Sequence, residues 1–237
     1  MQGGPIGRPF HLSMFKRFLF LLAFATSLHA APPRAYHLEL EANPAAPFPF
    51  LGKFGTVSLH VYPAGVRAET FWLNGFSRNG AGAVTVENPL GRMYTDVPLS
   101  QISTTLRKLA PSGVEAAAKP FSVIQMTGAV KAIPAQRYRL MYGPEAWIDI
   151  WTTSTIPENA QFRALVTEFV RGISPATATV MNGIHGMPLY VELNFRRYKK
   201  LPLVRMKSIT WNAEGQDDAL KVGTLYFKAP LLDSIWK

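Results

Sequence analysis

The chain has 237 residues, a formal net charge of +10 and no cysteine. Without cysteine it can form no disulfide, thiolate metal site or lipid-modified cysteine anchor, so an exported domain of this kind must be held by its own apolar core. The positive balance points to anionic envelope material such as lipid headgroups or acidic glycans, or serves solubility alone.

The first feature along the chain is a leader. Lys16 and Arg17 precede the apolar run Phe18 to Phe24, and Leu28-His29-Ala30 supplies a small-x-small ending before Ala31 and Pro32. That order reads as a secretory signal, and the apolar run is too short for a bilayer span of about 20 residues. Residues 1–13 read as an upstream extension. The expected organisation is therefore 1–30 as extension and cleaved signal, and 31–237 as one domain located in the periplasm or outside the cell. An uncut membrane anchor is the alternative.

Period-2 alternation then dominates. Tyr36, Leu38 and Leu40 alternate with His37, Glu39 and Glu41, and Val57, Leu59 and Val61 with Ser58 and His60. A turn at Pro63-Ala64-Gly65 leads into Val66 to Leu73, giving a hairpin. Residues 74–82 predict a turn-rich break, followed by short strands over 83–87 and 92–97. Ser100 to Leu109 predicts a short helix with Ile102, Leu106 and Leu109 on one face. Strands follow over 121–126, 135–142 and 145–153, the last two hinged at Gly143-Pro144.

The next helix has the clearest sequence signal. Thr155 and Glu158 have capping-box spacing, and Phe162, Leu165, Val166, Phe169 and Val170 form one apolar stripe. Arg171 suits the C-terminal dipole, and Gly172 is expected to close the helix. Further strands are predicted over 189–196, 203–211 and 222–228.

Catalytic and cofactor patterns find little support. His37, His60 and His185 lack metal-ligand spacing, and His185 has no partner motif that would make it a base. Ser77 sits one residue out of step with a nucleophile elbow, and Gly80-Ala81-Gly82 does not open a helix. No enzyme activity, cofactor, metal or nucleic-acid partner is expected.

Two other clusters carry binding hypotheses. Trp147 and Trp151 share a strand face with Asp149, opposite Ile148 and Ile150. If the isoleucines face the core, the tryptophans flank an acid on an open platform for sugar or peptide. If the tryptophans face inward, Asp149 is a buried acid needing Arg137 or Arg139, and core packing accounts for the rings. Arg196, Arg197, Tyr198, Lys199 and Lys200 form the densest basic run, placed at a hairpin tip. It is either a solvated turn or a contact for anionic membrane.

Three segments carry a family resemblance: Ile133-Pro134-Ala135-Gln136-Arg137-Tyr138, the stretch Glu145 to Trp151, and Gly186-Met187-Pro188-Leu189. They resemble a secreted domain family of unknown function related to the LolA-like half-barrel, the fold of the outer-membrane lipoprotein carrier. The likeness covers most of residues 35–211. It implies an α+β fold, with a curved antiparallel sheet and a helix packed on its concave face. In the carrier relatives that concave side receives lipid chains.

The expected function is non-catalytic binding of an apolar or amphiphilic envelope ligand, lipid or lipoprotein-like. Phe162, Leu165, Val166 and Phe169 would form or gate the cavity, and Trp147 and Trp151 would contact the ligand. The alternative is a structural or protein-interaction module with a solid core. N-terminal sequencing of the exported protein should read A-P-P or P-P-R; an intact Met1 or Met14 in the membrane fraction would overturn the leader assignment.

Overall fold

A computed structural model describes residues 35–42, 55–109, 122–196, 200–212 and 217–230. The chain divides into two compact units, residues 1–33 and 34–237, and every described residue belongs to the second. The expected leader, and Arg197, Tyr198 and Lys199 of the basic run, lie outside the described residues.

Among the described residues the alternating segments form one open sheet of twelve strands, and the fold is α+β. Strands β1 (Ala35–Ala42), β2 (Thr56–Tyr62), β3 (Gly65–Glu69), β4 (Asn74–Arg78), β5 (Ala83–Asn88) and β6 (Met93–Pro98) make one antiparallel meander. Strands β7 (Ser122–Val130), β8 (Ile133–Met141), β9 (Ala146–Thr153), β10 (Met187–Phe195) and β11 (Leu201–Asn212) make a second. The two join where β1 pairs antiparallel with β11. A two-residue strand, β12 (Phe227–Lys228), runs parallel to β6 at one edge, and β7 forms the other.

The break expected at 74–82 is mostly strand. The turn comes earlier, at Thr70 to Leu73, because the Thr70 hydroxyl accepts from the Leu73 amide and donates to the Leu73 carbonyl. That side-chain closure ends β3 at Glu69 and returns Asn74 to the ladder opposite it. The strand expected over 222–228 shrinks to β12, and a single 3-10 turn, Asp217–Leu220, precedes it.

Among the described residues three helices accompany the sheet: α1 (Leu99–Leu109), α2 (Ala160–Ile173) and α3 (Pro175–Met181). The start of α2 differs from the expected capping box. Asn159 is the N-cap, accepting from the Gln161 and Phe162 amides at 2.8 and 3.1 Å, while Thr155 bonds Thr153 and Glu158 pairs with Arg163. Pro157 accounts for the shift: its ring suits extended backbone and its carbonyl accepts from the Tyr36 hydroxyl at 2.5 Å. Gly172 does not end α2. Ser174 does, and it also caps α3, with Pro175 at the first helical position.

The main core cluster joins Tyr36, Leu38, Leu59, Val61 and Val66 to Ile156, Met187, Leu189 and Met206. Phe162 and Leu165 of α2 pack onto it, as do Val130 and Ile133 from the β7–β8 hairpin. A second cluster joins Tyr138, Leu140 and Ile150 to Ile184, with Val180 and Met181 of α3 against it. At the tip of the β7–β8 hairpin Lys131 donates to the Lys207 carbonyl of β11 at 2.5 Å.

Gly172 sets the distance between α1 and α2. A Cβ there would fall 2.7 Å from the Leu106 Cβ and 3.0 Å from the Ser103 carbonyl oxygen. Alanine would normally favour a helix interior by about 1 kcal/mol over glycine, but here it forces the helices apart. Gly172→Val is expected to lower stability by about 1–3 kcal/mol in a urea titration; no loss would mean that the α1–α2 contact is not close.

Candidate functional site

The seam between α2 and the sheet is the first candidate. Phe162, Leu165, Val166 and Phe169 lie on α2 as expected, but each is half-buried rather than sealed. Phe162 and Val166, with Ile150, Met181, Ile184 and Pro188, line a small space of about 20 Å³. That is room for about one water and for no acyl chain. Glu158 and Arg163 also line it, and they form an ion pair at 2.9 Å. Arg163 further donates to the Met181 and Ile184 carbonyls.

Polar contacts hold the N-terminal end of α2 to the sheet. Gln161 is buried; its amide nitrogen donates to Ser77 Oγ at 2.7 Å and to the Ala81 carbonyl at 3.0 Å, and its oxygen accepts from the Gly80 amide at 3.1 Å. The N-cap Asn159 reaches Asn79 and the Tyr62 carbonyl. Burial, with the Glu158 charge second, pushes the Tyr36 phenol upward, so it stays a donor to Pro157. Sequence reading missed Gln161, because a glutamine in a first turn gives no sign of a buried polar partner on a β4–β5 turn.

The second candidate lies on the opposite sheet face. Ile150 joins the core beneath α3, so Trp147, Asp149 and Trp151 point away from the helices. Both sequence alternatives are met in part. The tryptophans face outward, yet Asp149 is only 1% exposed. Arg137 Nη2 donates to Asp149 Oδ2 at 2.9 Å, and Arg139 donates through Nε at 2.8 Å and Nη2 at 2.9 Å. Arg137 lies 5.1 Å from the Trp151 ring centre and Arg139 lies 4.9 Å from that of Trp147. Each guanidinium thus covers an indole and helps to bury the acid between them.

The array continues onto β10. Trp147 Nε1 and Asn194 Nδ2 approach Asp149 at 3.3 and 3.4 Å. Tyr190 packs edge-on to Trp151 at 4.9 Å and donates to Glu192 at 2.7 Å. Burial and the Glu192 carboxylate push its phenol up to about 12. Gly128 of β7 lies against Trp151, where a Cβ would meet the indole nitrogen at an ordinary contact distance of 3.8 Å. The charges of the array are paired on Asp149, while the buried Arg137 Nε has no hydrogen-bond partner.

Elsewhere on this face His37 and His60 stack at 4.4 Å, and burial followed by the His60 neighbour lowers the His37 pKa. Glu69 accepts from His60 and Arg67, which depress it to about 2. Among the described residues no group of three or more histidines and carboxylates is placed to hold a metal. In the basic run, Arg196 pairs with Glu145 at 3.4 Å and Lys200 is exposed.

No family model and no curated protein matches the chain. Among solved structures it is similar to an uncharacterized conserved protein from Thermus thermophilus, at 7% identity and a TM-score of 0.45, covering 90% of this chain and 98% of that one.

Asp149 gives the direct test of the outer array. Asp149→Asn leaves two stacked guanidiniums without a counter-charge and is expected to cost about 3 kcal/mol in a denaturant titration. Arg137→Gln should cost less, because Arg139 still holds the carboxylate through two bonds. Equal small losses for both would mean that the array is solvated decoration.

Proposed function

We propose that this domain is an exported, non-catalytic binding protein for an apolar or amphiphilic molecule of the cell envelope, lipid or lipoprotein-like, built as a LolA-like half-barrel. The observation that carries this reading is the state of α2. Its apolar stripe is half-buried over an apolar sheet face, while its N-terminal end is fixed by the polar contacts of Asn159 and Gln161. For Leu165, Val166 and Phe169 to open with Ile150 and Met181, α2 would have to pivot about this end and carry α1 and α3 with it, through the Gly172 contact and the Ser174 junction. Closed, it leaves only the small space described above. Binding therefore requires the helix layer to move.

The half-barrel curvature draws support from Lys131. Strands β8 and β11 are three positions apart in the sheet, which is about 14 Å across a flat one. A lysine at the β7–β8 tip reaches the Lys207 carbonyl of β11 far more readily if the sheet is rolled. Val130 and Ile133 at the same tip pack onto the core cluster that Phe162 also meets, which further supports a rolled sheet. Export, and a periplasmic or extracellular location, rest on the leader.

The small volume of the seam favours a second reading, a structural or protein-interaction module with a solid core and the Arg137–Trp151 array as its docking face. Two measurements separate the readings: native mass spectrometry of protein expressed with its leader, and titration with a fluorescent fatty acid. The binding reading expects co-purified lipid and saturable binding, weakened roughly tenfold or more by Val166→Arg. Protein that is lipid-free and blind to the probe would be the interaction module.

A further inference from the structure

The strand register sorts the connections onto two ends of the sheet. At one end lie the β2–β3, β4–β5 and β7–β8 turns and the β6–α1, β9–α2 and α3–β10 connections, whereas β7 starts from the other end. At the other lie the β3–β4, β5–β6, β8–β9 and β10–β11 connections and the approach to β12. Asn74 stands opposite Glu87, so the β3–β4 and β5–β6 tips project side by side, about 10 Å apart. Ala42 stands opposite Val204, which puts the β10–β11 tip on the same rim.

This rim carries large apolar side chains in the open. Phe71 and Trp72 at the β3–β4 tip, Leu90 at the β5–β6 tip, and Leu225 and Phe227 around the start of β12 are between 52% and 71% exposed. Their backbones are not loose. Thr70 closes the first tip from within, accepting from the Trp72 and Leu73 amides. Asn88 accepts from the Gly91 amide in the second, and the Phe227 amide donates to the Arg92 carbonyl. Phe71 and Trp72 meet edge to face at 4.8 Å. Cations share the rim: Arg92 and Lys200 are exposed, and Arg196 is 67% exposed despite its pairing with Glu145, itself 53% exposed.

We propose that this rim docks on an anionic lipid bilayer surface, with Phe71, Trp72, Leu90, Leu225 and Phe227 entering the headgroup boundary and Arg92, Arg196 and Lys200 meeting the lipid phosphates. Three properties select that partner. The apolar groups stand on separate convex tips, which a fluid interface accommodates and a shaped protein pocket does not. Tryptophan and phenylalanine on fixed tips favour the interfacial layer at little entropic cost. The cations lie on the same rim and match anionic headgroups. The array at Asp149 and the α2 seam take no part, so docking stands or falls separately from ligand binding.

Vesicle flotation with phosphatidylcholine–phosphatidylglycerol vesicles tests this. The wild-type chain is expected to float with the vesicles at low salt. Phe71→Ser with Trp72→Ser should cut partitioning roughly tenfold or more while the circular dichroism spectrum and thermal midpoint hold, because the two rings support no core. Arg92→Gln with Arg196→Gln and Lys200→Gln should remove the salt-sensitive part of binding. Brominated phosphatidylcholine should quench wild-type tryptophan fluorescence in such vesicles, and Trp72→Phe should lose that quenching while still floating. Failure of the wild type to float at low salt would overturn the proposal, as would equal flotation of the double serine variant. A double variant that lost self-association in sedimentation, from a wild type that never floats, would make the rim a contact between copies.

Discussion

The pairing of β1 with β11 is the constraint on which the rest of the structure depends. Each meander has mostly local pairings and an apolar side, but neither holds a complete core. The cluster around Leu38 takes residues from β1, β2 and β3 on one side and from β10 and β11 on the other. Eight consecutive residues of β1 find partners on β11, with one irregularity between Glu39 and Leu40. That irregularity keeps Leu40 facing Met206 inside while Glu41 meets Arg205 outside. Pairing over such sequence separation is entropically costly, so it gains stability only when the apolar faces of both meanders are buried together.

The helix layer follows from this arrangement. Once the meanders are joined, their combined apolar side is wider than one helix can cover. Gly172 allows α1 and α2 to approach closely, and the Ser174-Pro175 junction turns the chain into α3 over the second cluster. The outer side remains polar and is covered by paired charges instead. Arg67 between Glu69 and Glu87, and the two arginines on Asp149, do for that face what apolar packing does for the other. Such pairs add modest stability, but their fixed geometry makes a one-residue slip of register costly.

Much of the sheet was legible because alternation is a direct imprint of a half-buried strand. Tyr36, Leu38, Leu59 and Val61 all point inward as their spacing implies. The failures have local causes. Asn74 to Arg78 carries turn-type residues, yet Thr70 had already made the turn and Gly75 lies within the ladder opposite Ala68. The start of α2 was misplaced because Thr155 and Glu158 have the spacing of a cap, whereas Pro157 and the Tyr36 bond hold that segment extended. The short α3 was readable from Ser174 and Pro175, but Gly172 drew the boundary too early. At the candidate sites, Arg137 or Arg139 was expected to partner Asp149 only with the tryptophans turned inward, whereas both arginines hold it with the tryptophans outward. Gln161 was not legible, since its partners lie about eighty residues away on a turn whose position depends on the whole meander.

Strand β7 ends the described sheet with nine consecutive residues, Ser122–Val130, none of them charged and none proline. Within the strand itself there is no charge, proline or bulge to blunt an open edge. Val123 and Ile124 are exposed on it, and the two-residue turn at Lys131 and Ala132, both at positive φ, keeps it in unbroken register with β8. Among the described residues no strand pairs with its outer edge, and an open ladder of this kind is a template for any extended chain, another copy of this protein included. Concentrated protein would therefore be expected to form oligomers of shared sheet, growing from this edge rather than from the basic turn. One lysine at Ile124 would act as a gatekeeper, leaving the fold intact while closing that route to aggregation.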